Sequence, residues 1–281
     1  MIKKIILLPI FLILLTNCSS DDNSNNSIDE NEETELKIHK FKWTTYFEGI
    51  PEYSQEYNFD LNENLTKITS DFGYSEYNYD TQGNLTQIDF FSNSNGIYGS
   101  YLFEYNTSNK LIKFINNVAT GNDLTTIFTY NGNEITLLEE ETEKEGKMIF
   151  DSDNKLIENS WTSSPNTIFK EDIVYNGDLV LEVRKHSNSN YQYSATFEYD
   201  DKINPLYNKF SLHPLDYFTQ ELYDIEYDGY DIYFSPNNVI KEIKNNVIEI
   251  KLFEYNEDGY PVSASIMKND VLREEQTFEY Y

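Results

Sequence analysis

The stretch Tyr79-Asp80-Thr81-Gln82-Gly83-Asn84-Leu85-Thr86-Gln87-Ile88 decides the fold. It reads as the end of one β-strand, a tight turn and the start of the next. Ahead of it Tyr77 and Tyr79 alternate with Asn78, the period-two pattern of a half-buried strand. Asp80 suits the first position of a type I turn. Gly83 suits the fourth, where the backbone goes left-handed without a Cβ penalty. A type I turn followed by a left-handed residue is a common hairpin loop and carries a bulge.

The unit recurs. An aromatic residue, then Asp or Asn, a short turn and an aliphatic residue opening the return strand appear from Phe59-Asp60 and Tyr79-Asp80 through Tyr105-Asn106, Tyr130-Asn131 and Phe150-Asp151 to Tyr175-Asn176, Tyr199-Asp200 and Tyr255-Asn256. Most junctions lie 20 to 26 residues apart, two strands and their connections, which marks an array of supersecondary units. Residues 36–47 and 52–59 read as a first pair joined around Gly49-Ile50-Pro51. Gly83, Asn109, Asn154 and Gly259 occupy the left-handed slot, which Asn tolerates best after Gly. Glu63 in the same slot predicts a less regular first turn. Asn131-Gly132 and Asn176-Gly177 suit two-residue type I′ turns.

On the incoming strands Phe103/Tyr105, Phe197/Tyr199, Phe253/Tyr255 and Phe278/Tyr280 share a face. Glu104, Glu198, Glu254 and Glu279 between them must point the other way. One face is therefore aromatic and buried, the other acidic and wet. On the return strands Leu65/Ile68, Leu85/Ile88 and Leu111/Phe114 are three apart, and a bulge just after each turn would put both on the core face. The expected fold is all-β: an antiparallel up-and-down meander of repeated β-hairpins, curved or closed into a barrel of about 19 strands, more than an open twisted sheet carries without curling.

Composition agrees. The 281 residues are 39% apolar and 16% aromatic, with 24 Tyr and 18 Phe, a strand-forming excess. With 49 Asp+Glu against 21 Lys+Arg the net charge is −28. Nucleic acid is excluded as a partner, because long-range repulsion opposes it.

Lys3 and Lys4 precede an apolar run from Ile5 to Leu15, too short to span a bilayer and suited to a signal peptide. The run ends in Leu15-Thr16-Asn17-Cys18, followed by Ser19-Ser20-Asp21-Asp22. This resembles the lipobox of bacterial lipoproteins, with Asn17 departing from the usual small residue before the cysteine. The resemblance implies a signal peptide over 1–17 and a lipid on Cys18, the chain's one cysteine. The acidic pair resembles the surface-export signal of Bacteroidota lipoproteins, which implies an outer-membrane lipoprotein at the cell surface. Residues 18–35 then form the lipidated cysteine and an acidic tether. Residues 36–281 form one domain, interrupted at 201–238 by prolines and crowded aromatics, with a short helix expected over 212–222.

The unit Tyr-Asp-x-x-Gly-Asn-Leu-Thr also resembles the YD repeat of Rhs-type shell proteins, with Asn84 where those usually carry Arg. More broadly, residues 36–281 are similar to Bacteroidota lipoproteins of unknown function with a porin-like β-fold. Asp201-Lys202-Ile203-Asn204-Pro205-Leu206, Pro236-Asn237-Asn238-Val239 and Asn256-Glu257-Asp258-Gly259-Tyr260-Pro261 carry that likeness. It implies a fold and a location, and no activity.

Catalytic patterns are missing from the sequence: no Gly-x-Ser-x-Gly, no His-Glu-x-x-His and no phosphate-cradling Gly-rich loop. His39, His186 and His213 share no metal-ligand spacing, and no cofactor or metal is expected. Asp151-Ser152-Asp153-Asn154 has calcium-loop spacing, but Lys155 stands where a ligand is needed, so a hairpin turn explains it better. Glu139–Glu145 reads as a solvated strand end or loop. The sequence thus points to a non-enzymatic envelope lipoprotein that binds glycan or protein. Its candidate contacts are Tyr217, Phe218, Tyr223, Tyr230 and Tyr233 in the insertion, with Trp43 and Trp161. A purely structural lipoprotein and an integral outer-membrane barrel are the alternatives. The accessibility of the aromatic side chains separates the three.

Overall fold

The computed structural model describes residues 36–94, 96–118, 123–164, 167–207, 209 and 235–281. The signal peptide, Cys18, the tether, the short helix expected over 212–222 and the candidates Tyr217, Phe218, Tyr223, Tyr230 and Tyr233 lie outside these residues.

Eighteen strands follow one another in chain order. The first six are β1 (Ile38–Phe47), β2 (Ile50–Phe59), β3 (Leu65–Ser70), β4 (Gly73–Tyr79), β5 (Leu85–Ser92) and β6 (Gly96–Tyr105). Next come β7 (Leu111–Val118), β8 (Leu124–Asn131), β9 (Glu134–Glu139), β10 (Lys144–Phe150), β11 (Leu156–Ser164) and β12 (Thr167–Asn176). The last six are β13 (Leu179–Ser187), β14 (Asn190–Ile203), β15 (Asn237–Lys244), β16 (Val247–Tyr255), β17 (Pro261–Lys268) and β18 (Val271–Tyr280). Each pairs antiparallel with its sequence neighbours, and β18 pairs with β1 from Ile38↔Tyr280 to Thr45↔Glu274. The sheet is a closed barrel. The 18 strands of the described residues match the expected barrel of about 19, and an even count lets a ring of alternating strands close antiparallel.

The bulge inferred from the three-residue spacing is present at seven junctions. Tyr79 opposes Leu85 while Asn78 opposes Gln87, and the same shift recurs at Phe59, Tyr105, Phe150, Tyr175, Tyr199 and Tyr255. Between β8 and β9 the ladder runs through without one. Two turn readings need correction. Glu63 adopts the left-handed conformation (φ 62°), and its amide reaches the Asp60 carbonyl at 2.8 Å, so the first turn is as regular as the rest. The Asp60 carboxylate explains this: it accepts from the Asn62 and Asn64 amides and fixes the loop whatever residue fills the slot. At Gly132-Asn133 and Gly177-Asp178 only the glycine has positive φ, the type II′ pattern, because pairing continues through Asn131 and Asn176. Likewise Ile50 and Pro51 belong to β2, and the first turn is Glu48-Gly49.

Side chains from the whole ring meet inside. One cluster takes residues from β5 to β15, among them Phe114, Met148 and Val180; the other joins Ile38, Phe41, Phe59, Leu65 and Phe278 around Leu206. Phe41, Phe114, Met148 and Val180 are at most 2% exposed, so the lumen is packed at their level, and each such side chain contributes about 1.5–3 kcal/mol. The outer wall alternates as expected. Glu104, Glu198, Glu254 and Glu279 are exposed, and Lys67, Lys113 and Lys241 pair across strands with Glu76, Glu104 and Glu198 at 3.3, 3.4 and 2.7 Å.

The irregular segment is shorter than 201–238, because β14 runs to Ile203 and β15 starts at Asn237. It leaves the wall at Asn204, whose amide and side chain bond the Pro236 and Ser235 carbonyls, each at 2.9 Å. Leu206 then enters the core beside Ile38 and Leu65, and Lys209 pairs with Glu63 on the β2–β3 turn. This strap shares one end of the barrel with the repeat turns and both chain ends of the ring. We call it the closed end, and the opposite rim, where β1 turns into β2, the crown.

Candidate functional site

At the closed end the repeat residues serve the backbone. Asp60, Asp80, Asn106, Asp151 and Asn256 each accept two turn amides on one side-chain oxygen, at 2.8 to 3.1 Å. The junction tyrosines solve a second problem. Ladders between a return strand and the next strand begin two or three residues late, at Lys67, Lys113, Glu158, Glu182 and Ser263. The carbonyls of Leu65, Leu111, Leu156, Val180 and Pro261 are thereby left outside the ladder. The hydroxyls of Tyr79, Tyr130, Tyr175, Tyr199 and Tyr280 donate to those five carbonyls at 2.6 to 3.1 Å. Burial pushes the Tyr105 phenol up to about 12 and raises Tyr130, Tyr175 and Tyr280 as well. With their protons donated to those carbonyls, the five hydroxyls form a latch.

Moving toward the crown, the inner face turns polar four residues before several junctions. Thr126, Glu171, Lys251 and Gln276 hold that position, and Asn159 and Glu242 take the post-bulge slot that elsewhere holds Ile88 or Phe114. All six are buried. Glu139 is buried too and accepts from the Thr142 hydroxyl, while the rest of the expected solvated strand end or loop, Glu140, Glu141, Glu143 and Glu145, is exposed. Lys185 lies 3.9 Å from Glu171 and 5.5 Å from the Trp161 ring, and Lys244 lies 5.0 Å from the Tyr193 ring. The Asn159 side-chain amide has no hydrogen-bond acceptor. A cavity of about 20 Å³ beside Lys251 and Gln276 is too small for an organic ligand. Among the described residues no group of three or more His, Cys, Asp or Glu can hold a metal.

Two outward features remain. A groove of about 600 Å³ crosses β8 to β12, where Gly146 contributes no side chain and Ile127, Leu138 and Ile168 meet Thr136, Thr162 and Lys147. The second is the crown. Phe47, Ile50, Phe72, Ile97, Tyr98, Ile168, Tyr191, Ile248 and Val271 flank its turns and are all exposed. Five of them crowd onto the first three hairpins. There Phe72, 75% exposed, stacks on Tyr53 at 5.9 Å and 18°, and Tyr74 stacks on Phe91 at 4.5 Å and 10°. Tyr53 in turn meets the edge of Trp43 at 5.5 Å. Asp71 accepts from the Ser54 amide at 3.2 Å and, through its carbonyl, from the Asn93 side chain at 2.8 Å, which ties the three tips together.

The predicted Trp contacts are thus divided. Trp43 stands behind an exposed aromatic stack, its Nε1 donating to the Tyr57 hydroxyl at 3.3 Å. Trp161 is buried, stacks on Phe169 and backs the groove without offering a free face. His39 packs on Tyr281, and His186 lies beside Asp172 and Tyr191. Asp151-Ser152-Asp153-Asn154 is a hairpin turn like its counterparts, as its place in the repeat indicates. Sequence reasoning missed Phe72, Tyr53 and Tyr74. Their signal was available: aromatic residues at the ends of strands opposite the repeat turns, where alternation demands no core.

No family model and no curated protein matches the chain. Among solved structures it is similar to a porin-like protein from Bacteroides uniformis, at 10% identity and a TM-score of 0.49, over 87% of this chain and 98% of that one. A porin-like protein from Bacteroides vulgatus matches at 13% identity and a TM-score of 0.42, over 88% and 99%. At such scores neither protein's role carries over, and the barrel rests on the strand pairings above.

Proposed function

We propose that the chain is a non-catalytic binding module of the cell envelope, held to the outer membrane by lipid on Cys18 and facing water all round its barrel. The observation that carries this reading is the division of the wall. Aromatic rows fill the lumen, leaving no conduit at their level, and Lys–Glu pairs stand on the outside among the exposed Leu138, Leu181, Ile250, Leu252 and Val262. Charges in mid-wall are costly against hydrocarbon, by about 2–4 kcal/mol for a lysine at the bilayer midplane. The YD-like unit is wall-building in this reading, because its Tyr and Asp side chains are already committed to the turns.

A second reading is favoured by the closed ring with its even strand count: an integral outer-membrane barrel. One experiment separates them. All eighteen strands lie within residues 36–281, so that segment is expressed alone and purified without detergent. A soluble, cooperatively melting β-protein is expected, and a segment that folds only in detergent or lipid gives the membrane barrel. In the full chain, Cys18→Ala is expected to release the protein from the membrane fraction. Retention of that variant overturns the anchor.

A further inference from the structure

From the crown geometry we infer that the patch on the first three hairpins binds a neutral saccharide chain, with Phe72 as the stacking platform. This rests on the water-facing binding module proposed above and gives it a site and a ligand class.

The patch is built. Phe72 is the most exposed large apolar residue among those described, at 75%, yet its ring is backed by a continuous train of groups. It stacks on Tyr53, whose hydroxyl accepts from Gln55 Nε2 at 2.6 Å; Gln55 Oε1 accepts from the Tyr57 hydroxyl at 2.7 Å, which accepts from Trp43 Nε1. Asp71 and Asn93 fix the loop that carries Phe72 to its neighbours on both sides. A ring held this way loses little freedom on binding, which favours affinity.

The chemistry around the rings selects among ligands. Glu48, Glu52, Asp71 and Asn93 lie in the same tips, and segments 46–56, 70–74 and 91–99 contain no Lys or Arg. Sugar hydroxyls donate to carboxylates and amides, while the C–H face of a pyranose packs on the electron-rich face of an aromatic ring. Lys67, 3.9 Å from the Tyr74 ring, is already paired with Glu76, so an anionic polymer meets mainly carboxylates here. A bilayer would have to take the carboxylates in with the rings, at high cost. Protein interface cores are depleted in Asp and Glu, whereas here both flank the rings. A neutral glycan uses every group present.

The test is affinity electrophoresis of the full-length protein in mild detergent, through native gels containing mannan, β-1,3-glucan or starch, with dextran sulfate and a Lys-rich amphipathic peptide as further matrices. Retardation by at least one neutral polymer is expected, weakened at least tenfold by Phe72→Ala and kept by Phe72→Trp. Tyr191→Ala, on the distant β13–β14 turn, is expected to leave it unchanged. No retardation by any of the three neutral polymers overturns the inference, as does retardation that Phe72→Ala leaves intact. Retention only by the peptide matrix assigns the patch to a protein partner and overturns it too. Any of these failures with a soluble 36–281 barrel leaves the envelope module standing, whereas a barrel that requires lipid removes the reading beneath both.

Discussion

The two rims of the barrel solve the same problem, reversing a strand, with opposite chemistry. At five closed-end junctions the loops are longer, a side-chain oxygen organises the loop and a bulge follows, and tyrosine hydroxyls satisfy carbonyls beyond the ladder. At the crown five of the described turns are two residues long. Both central residues have positive φ at Glu48-Gly49, Asn188-Ser189, Asn245-Asn246 and Asn269-Asp270, the type I′ geometry. Such a turn matches strand twist without help from neighbours, so the flanking side chains are free for other duties. The aromatics of one rim are structural fasteners; those of the other are exposed.

The largest effect should come from one residue type at both rims. Phe59, buried at the closed end, is expected to lose about 3–5 kcal/mol on Phe59→Ala. Phe72→Ala at the crown should change stability by no more than about 0.5 kcal/mol. Equilibrium denaturation of the two variants measures both, and equal losses would erase the contrast between the rims.

Backbone strain sharpens the contrast by ignoring it. Gly83 at the closed end and Gly49 at the crown have φ of 84° and 79°, and open space surrounds the position of an added Cβ at each. Gly→Val should cost about 1–2 kcal/mol at both, since the penalty lies in the left-handed conformation and not in packing. Gly121, outside the repeat motif, falls outside the described residues.

A single hydroxyl gives a smaller difference. Tyr175→Phe leaves the Leu156 carbonyl without its 3.1 Å partner and should cost about 1 kcal/mol. Tyr191→Phe at the crown, exposed and bonded to Ser194, should cost almost nothing. High pH applies the same test to the whole rim. Tyr105 titrates near 10 in the unfolded chain and is raised to about 12 by burial. Its contribution is complete below pH 10 and lost as pH rises toward 12. Tyrosinate absorbance should therefore appear together with loss of β-sheet signal, and ionisation of Tyr105 in an intact barrel would contradict its burial.

What was legible in the sequence was whatever a local rule dictates. Left-handed Gly83, Asn109, Asn154 and Gly259, the bulges behind Leu65, Leu85 and Leu111, and the aromatic inner face all follow from turn sterics and period-two alternation. Glu63 was misjudged because propensity was weighed without the Asp60 carboxylate that overrides it. Type I′ turns were placed at Asn131-Gly132 and Asn176-Gly177 on the strength of a dipeptide; they occur instead at pairs such as Asn245-Asn246, where strand twist sets the turn. The buried Glu171, Glu242 and Lys251 were hidden because a charge on an inward rung is indistinguishable from a register slip until the ring closes. The crown was invisible for a different reason: repetition drew attention to the rim where the motif sits, and Phe72 belongs to no motif.

The smallest effect concerns one carboxylate of the repeat. The Asn84 side chain, then the Asn84 and Gln82 amides, hold Asp80 below the usual carboxylate range. A depressed folded pKa gives stability that is present above the unfolded value of about 3.9 and lost as pH falls through the folded one. Asn106 and Asn256 perform the same turn function with an uncharged oxygen. Asp80→Asn keeps an acceptor for the two amides but loses the bond from the Asn84 side chain to the second carboxylate oxygen, so the melting midpoint at pH 7 should fall slightly. Between pH 5 and pH 3 the variant should lose less of its midpoint than the parent, by a small but resolvable margin. Phe72→Ala, at the rim with no such carboxylate turn, should follow the parent curve throughout. An Asp80→Asn variant whose acid sensitivity equals the parent's would mean that the charge is incidental, and that the closed end is held by the geometry of its acceptors alone.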